Sequence, residues 1–268
     1  MEIEEKNIFI HRKIKNGQYM VPVEIIIPFN GEQTRVTKLM GSIFNTVFTN
    51  RYLITLVDDG SENEKFIKQI STSSKLKGVR ALRQKTQKGF GAAVNFALNN
   101  PFTENIHLVA IIHSDVLVEG VNWLSSMVES LNIMKEDGIK MLSPRTDNPM
   151  VDKVILKGKK NEEDKLKKQD YVLNDGFLPM YCVLAHRQLF KTVGPLAEYP
   201  YAGTEAEEYA YRMKKMGYRQ GVCGASWVHH DGAGTLQRYE KNKKVQEILK
   251  NVKEDFLNGI EKKVNYTI

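Results

Sequence analysis

Cysteine is almost missing from this 268-residue chain. Its two cysteines, Cys182 and Cys223, stand far apart without metal-ligand spacing, so they read as small buried hydrophobes and exclude a disulfide framework. No apolar run approaches the length of a membrane span, and the opening "MEIEEKNIFIHRK" has no apolar core of a signal peptide. These absences predict a protein made and kept in the cytosol, at most peripheral at the inner membrane face. There is no internal repeat. The glycine-rich "KGFGAAVN" stops short of a dinucleotide fingerprint, because Val94 holds the third glycine position; that argues against a dehydrogenase.

What the chain does have is a globular composition, 41% hydrophobic, enough to bury a sizeable core. Its net charge of +7 favours anionic partners without choosing among them. The lysine-rich runs at 153–170 and 237–255 read first as solvated faces.

Periodicity predicts an alternation of strands and helices. "VPVEIIIPFN" (21–30) is a strand closed by Pro28. Residues 34–48 place Val36, Leu39, Met40, Ile43, Phe44 and Val47 at helical spacing, and "YLITLVDDG" (52–60) is the next strand. A helix from Glu62 to Ser71, a strand "GVRALRQ", a glycine turn opening a helix at "QKGFGAAVNFALNN", and a central strand "HLVAIIHSDV" follow. Residues 121–138 form a helix with Trp123, Leu124, Met127, Val128, Leu131 and Met134 on one face. Then come a strand "KMLSPRT", an irregular loop over 147–170, a strand and short helix in "FLPMYCVLAHRQLFKTVG", and a helix "TEAEEYAYRMKKMGYR" stopped at Gly217. A last strand lies in "QGVCGASWVHHDGAG", and a helix from Gln237 to Gly259 closes the chain. This is an α/β pattern with a parallel sheet.

In such sheets ligands bind beyond the carboxyl ends of the strands. Pro28 to Gly31, Asp58 to Ser61 and His113 to Asp115 all follow apolar strands and can converge on one nucleotide. Taken singly, "VDDGS" reads first as a turn, and "HSD" reads at least as readily as a solvated strand end as a metal site.

The order "IIIPFNG", "VDDGS", "QKGFGAAVNFAL", "IIHSDV" and a helical "WL" resembles the nucleotide-binding half of the GT-A glycosyltransferases, specifically the large inverting family two. "HRQLFKTVGPLAEYPYAGTEAEEYAYRMKKMGYR" resembles that family's acceptor-side segment, and "WVHH" its late histidine; the likeness covers roughly residues 21–235. It implies a single domain over 1–268, with a Rossmann-like, mostly parallel sheet flanked by helices. Residues 21–118 would be the nucleotide-sugar half, 119–235 the acceptor half and 236–268 a helical extension.

The resemblance also implies roles. Asp115 matches the last acid of an Asp-x-Asp that holds Mn²⁺ or Mg²⁺ on the donor diphosphate, while His113 stands where the family has an aspartate. An imidazole suits Mn²⁺ better than Mg²⁺. His229 would complete the metal or diphosphate site, with His230 the second choice. Pro28 and Phe29 would wall the base, Asp58 or Asp59 would accept its hydrogen bonds or those of the ribose, and Lys88, Gly89, Asn95 and Ser114 would line the donor. Glu205 and Glu208 align with the family's acids, but Ala206 replaces the aspartate that acts as base, so the role passes to Glu205 first and Glu208 second.

The implied activity is metal-dependent, inverting transfer of a sugar from a nucleotide diphosphate, UDP first, to a glycan or lipid-linked glycan. Alternatives are a hydroxylated base in DNA as acceptor, with Tyr171 and Tyr239 the sparse stacking residues, and a non-catalytic sugar-nucleotide-binding protein, motivated by His113 and Ala206. A nucleotidyltransferase is disfavoured because "IIIPFNGEQTRV" lacks a glycine-rich phosphate loop.

Overall fold

A computed structural model describes residues 22–31, 33–46, 52–62, 78–148, 170–173, 177–199 and 204–232, with Glu247, Lys250, Asn251 and Glu254 helical further on. Of the expected helix at 62–71 only Glu62 is among those residues, of the loop at 147–170 only Asp147, Asn148 and Asp170, and of the helix at 237–259 only the four just named; Tyr239 and the rest of both lysine-rich runs lie outside them.

The N-terminal half is a run of parallel pairs. Strand β1 (Val23–Phe29) lies between β2 (Tyr52–Asp59) and β4 (Leu108–Ile112), and β3 (Val79–Gln84) extends the sheet beyond β2. Every residue of β1 and β4 is buried, which is why both read as continuous β-branched runs instead of alternating ones. Helix α1 (Gln33–Thr46) buries Val36, Leu39, Met40 and Ile43, while Phe44, expected on the same face, is 40% exposed. Helix α2 (Phe90–Asn99) packs on β1 and β2 through small residues, including Ala93 and Ala97.

Beyond β4 the sheet turns mixed. Its order is β3-β2-β1-β4, then β8 (Cys182–His186), β6 (Ile139–Thr146), β9 (Arg219–His230) and β5 (Val116–Glu119), with β7 (Tyr171–Leu173) paired to β9. Strand β8 (Cys182–His186) is antiparallel to both β4 and β6 (Ile139–Thr146), and β9 (Arg219–His230) runs parallel to β6. Two antiparallel steps restore the original direction, so β1, β2, β3, β4, β6 and β9 all end at one edge. Helix α3 (Trp123–Met134) covers β6 and β9 with the apolar face expected of it. Helix α4 (Arg187–Thr192) follows β8 directly, and α5 (Glu205–Lys215) precedes β9.

The expected central strand "HLVAIIHSDV" is two strands, not one. It stops at Ile112, and the chain restarts as β5 (Val116–Glu119), antiparallel to the end of β9. His113, Ser114 and Asp115 form the corner. The chain leaves one ladder and joins another there, and main-chain bonds pair the corner: the His113 N–H donates to the Tyr181 carbonyl at 2.8 Å, the Val116 N–H to the His113 carbonyl at 3.2 Å and the Asp231 N–H to the Asp115 carbonyl at 3.1 Å, so the three polar side chains are not required by the backbone.

At the opposite edge, buried Glu24 of β1 accepts hydrogen bonds from Thr55 Oγ1, Arg80 Nη2 at 3.0 Å, Arg187 Nη2 and the Phe102 backbone N–H at 3.2 Å. Arg80 also donates to the carbonyl of Pro101 at 3.0 Å, and Arg187 to that of Leu98 at 3.0 Å. One carboxylate thus joins three parallel strands to the ends of α2 and β8. Among the described residues no helix is long and apolar enough to cross a membrane.

Candidate active site

The loops after β1, β2 and β3 are knitted together by main-chain groups. The Asn30 amide donates to the carbonyl of Asp59 at 2.6 Å, and the Gly31 N–H donates to Ser61 Oγ at 2.7 Å. A Cβ on Gly60 would lie 2.3 Å from the Gln87 nitrogen, so backbone meets backbone at that turn and only glycine, at φ 68°, fits.

The two aspartates of "VDDGS" separate in role. Asp59 accepts the N–H groups of Lys88 and Gly89, one on each carboxylate oxygen, both at 2.8 Å, and so holds the loop that starts α2. Burial pushes its carboxyl up, against the pull of those two bonds. Asp58 is 2% exposed; its Oδ1 accepts the Ser61 N–H at 2.9 Å, and its Oδ2 lies 3.5 Å from Arg83 Nε. Lys88 is exposed and Gly89 buried, and Phe29, the last residue of β1, is buried opposite Asp58.

Asn95, expected to face the donor, is instead committed to the protein. Its side chain donates to the carbonyl of Leu196 at 2.9 Å and to Glu198 Oε1 at 3.0 Å, and accepts the Leu196 N–H at 2.9 Å. This clasp draws the 196–198 segment onto α2, where a Cβ on Gly91 would fall 2.0 Å from the Ala197 carbonyl oxygen and 3.5 Å from Glu205 Cγ.

At the β4–β5 corner, His113, Asp115 and His230 bring one donor atom each within 4.8 Å of one another, a group that could hold a metal ion. Asp115 Oδ1 is 4.0 Å from His113 Nδ1 and 3.5 Å from His230 Nε2. Burial alone would raise the Asp115 carboxyl, but the hydrogen bond from His230 and the charges of His113, His230 and Arg35 outweigh it and bring it down to about 2. Burial lowers the His113 imidazole to about 4, against the opposing pull of Asp115. Near neutrality the corner therefore offers an ionised carboxylate and a neutral imidazole, the forms that bind cations. Ser114 is buried between them in sequence.

Packing holds both rings. Phe90, the first residue of α2, meets His113 edge-on with centroids 4.7 Å apart, and Tyr181 stacks on His230 at 5.0 Å and 15°. The Tyr181 carbonyl accepts the His113 N–H at 2.8 Å; its hydroxyl donates to the Pro144 carbonyl at 2.6 Å and accepts from Ser143 Oγ at 2.8 Å.

The ligand expected from "WVHH" was His229, but the ring that reaches Asp115 belongs to His230. Adjacent residues of a strand point to opposite faces, so one of the pair is necessarily turned away. His229 Nδ1 pairs with Asp147 Oδ2, a bond that raises its imidazole above the ordinary range. Asp147 Oδ1 also accepts the His230 N–H at 3.1 Å, and the Asn148 amide donates to the His230 carbonyl at 3.2 Å. Asp147 escaped the sequence reading because it opens the stretch taken as loop; its place directly after the strand "KMLSPRT" was the available signal. Tyr181 and Phe90 gave none, since each reads as core.

In α5 the two candidate acids differ. Glu208 is bound bidentately by Arg212 at 2.8 and 2.7 Å, and Arg212 also donates to the carbonyls of Val193 and Pro195 at 2.7 Å each. Glu205, the first residue of the helix, is 4% exposed and lies against the first turn of α2, the turn that carries Phe90 onto His113. Ala206 packs on the core.

The family described as "Glycosyl transferase family 2" matches residues 24–194. No curated protein sequence matches the chain. Among solved structures, "GalNAc-T7 with UDP, GalNAc and Mn²⁺" superposes with a TM-score of 0.60 at 16% identity, over 79% of this chain and 44% of that one. "Mannosyltransferase PcManGT from Pyrobaculum calidifontis in complex with GDP-Man and Mn²⁺" superposes with a TM-score of 0.61 at 15% identity, over 83% of this chain and 61% of that one. Both likenesses concern the fold, and this chain spans less than two thirds of either protein.

Proposed function

Because this chain belongs to glycosyl transferase family 2 and is a glycosyltransferase, we propose that it moves a sugar from a nucleotide diphosphate, UDP by preference, to a hydroxyl of a glycan or lipid-linked glycan, with inversion at the anomeric carbon. The observation that carries the reading is the His113, Asp115 and His230 group at the edge where Asp58 and Phe29 also end their strands.

Each residue has a task. Asp58 Oδ2, buried and beside Arg83, is placed to accept the single imide N–H of a uracil, its other oxygen being taken by Ser61. Asp59 acts indirectly, by holding the Lys88–Gly89 turn. Asp115, His113 and His230 would hold a divalent cation, which when bound supplies neutralisation of the leaving diphosphate. Glu205 takes the proton of the acceptor hydroxyl; Glu208, tied to Arg212, serves the fold. The excess positive charge supports an acidic or membrane-bound acceptor met in the cytosol.

The test is a panel of UDP- and GDP-sugars with Mn²⁺ and glycan acceptors, read by mass spectrometry, with the anomeric configuration of the product read by NMR. Transfer from UDP-sugars with inversion is expected. Preference for GDP-sugars, retention, or no transfer from any donor would each overturn the corresponding part.

A further inference from the structure

We propose that this site selects first-row transition ions that accept imidazole over Mg²⁺, and that His113 is the residue that sets the preference. The inference rests on the proposed reaction and narrows its cation.

The donor set is two imidazoles and one carboxylate, His113, His230 and Asp115. Mg²⁺ is small and hard, takes oxygen ligands in a near-ideal octahedron and gives up its waters reluctantly. Two nitrogen ligands replace the oxygens it prefers. Transition ions accept the same set, and their affinity for mixed nitrogen and oxygen sites rises from Mn²⁺ to Co²⁺. Among the described residues Asp115 is the only carboxylate of the group; Asp147 pairs with His229, and the exposed Asp231 lies 3.8 Å from Arg35 Nη2.

Main-chain bonds position both residues, and aromatic contacts pack both rings. His113 is held by its N–H bond to the Tyr181 carbonyl at 2.8 Å and by the edge of Phe90. His230 is held at its N–H by Asp147, at its carbonyl by Asn148 and across its ring by Tyr181. A cation entering this corner meets two packed imidazoles, and the preference against Mg²⁺ follows from ligand type.

The experiment measures binding, apart from turnover. Wild-type protein with UDP is titrated with MnCl₂, CoCl₂ and MgCl₂, following the free Mn²⁺ signal by electron paramagnetic resonance, its displacement by the other two ions, and the visible absorption of bound Co²⁺. The same titrations are run on His113→Asp after its fold is checked by circular dichroism. Co²⁺ should bind more tightly than Mn²⁺, and Mg²⁺ should fail to displace either at equal concentration. In His113→Asp the preference for Mn²⁺ over Mg²⁺ should fall by about 10- to 100-fold, the usual scale of a changed group at a metal site, with a shifted Co²⁺ spectrum. Equal binding of Mg²⁺ and Mn²⁺ by wild type, or an unchanged ratio in folded His113→Asp, overturns the selectivity and leaves the proposed reaction standing. If the variant does not fold, the wild-type order decides alone. Wild type that binds none of the three ions overturns both.

Discussion

The Tyr181 ring lies flat against the His230 imidazole, 5.0 Å between centroids and 15° from parallel, while the Tyr181 hydroxyl is fixed to the β6 backbone at Pro144. Tyr181 is thus a positioning residue for His230. Tyr181→Leu should weaken Mn²⁺ binding by about 10- to 100-fold, and Tyr181→Phe, which keeps the stack, should lose less. Mn²⁺ titrations of the two variants check this; equal losses would assign the effect to the hydroxyl.

Glu205→Gln should lower turnover by about 10² to 10⁴ with donor affinity nearly unchanged, as expected for loss of a positioned base. Glu208→Gln should retain most activity and lose about 0.5 to 1 kcal/mol of stability with its Arg212 pair, which is 20–27% exposed. Steady-state kinetics and thermal melts on both variants separate the roles, and the reverse pattern would exchange them.

Acid should destabilise the metal-free protein through the β4–β5 corner. His113 falls from an ordinary 6.5 to about 4 on folding, and Asp115 from 3.8 to about 2. In both cases the unfolded chain binds more protons, so stability rises with pH. The His113 contribution is complete above pH 6.5 and lost as the pH falls through 4; that of Asp115 is complete above 3.8 and lost toward 2. Melting temperatures in EDTA should fall across this window, and His113→Gln should flatten the upper part; an identical slope in the variant would refute the assignment.

Glu24→Gln should be the most damaging single change outside the site. It removes the charge shared by Arg80 and Arg187 in a carboxylate that is 0% exposed, and breaking a buried pair costs about 3 to 5 kcal/mol. Urea unfolding should show the midpoint displaced with the slope retained.

Much of this was readable in advance, for a physical reason. Strands β1 and β4 are buried on both faces, so their apolar runs are uninterrupted, and the residues that follow them are the ones at the ligand edge. Asp115 follows β4 to that edge, and Asp58 reaches the same edge within β2, opposite Phe29. The misses share another cause. His229 and His230 differ only in which face of β9 they occupy, and that parity is set by a register shift between β6 and β9 after Pro144, which no local pattern encodes. Strand β5 was missed because four residues pairing with a segment more than a hundred positions away carry no periodicity of their own. Asn95 reads as a donor contact until the Leu196 segment is seen lying across it.

The corner at His113 to Asp115 has a consequence for how the site is acquired. Its third member, His230, arrives at the very end of β9, so the cluster closes one of the longest loops in the described chain. Long-range closure is entropically costly and comes late. A nascent chain that has emerged only as far as α3 already carries the Asp58 and Asp59 turns yet has one imidazole and one carboxylate where three ligands belong. Under the proposed reading, cation capture would report completion of the sheet, and a bound ion would tie the first strand to leave the parallel core to the last strand to join it.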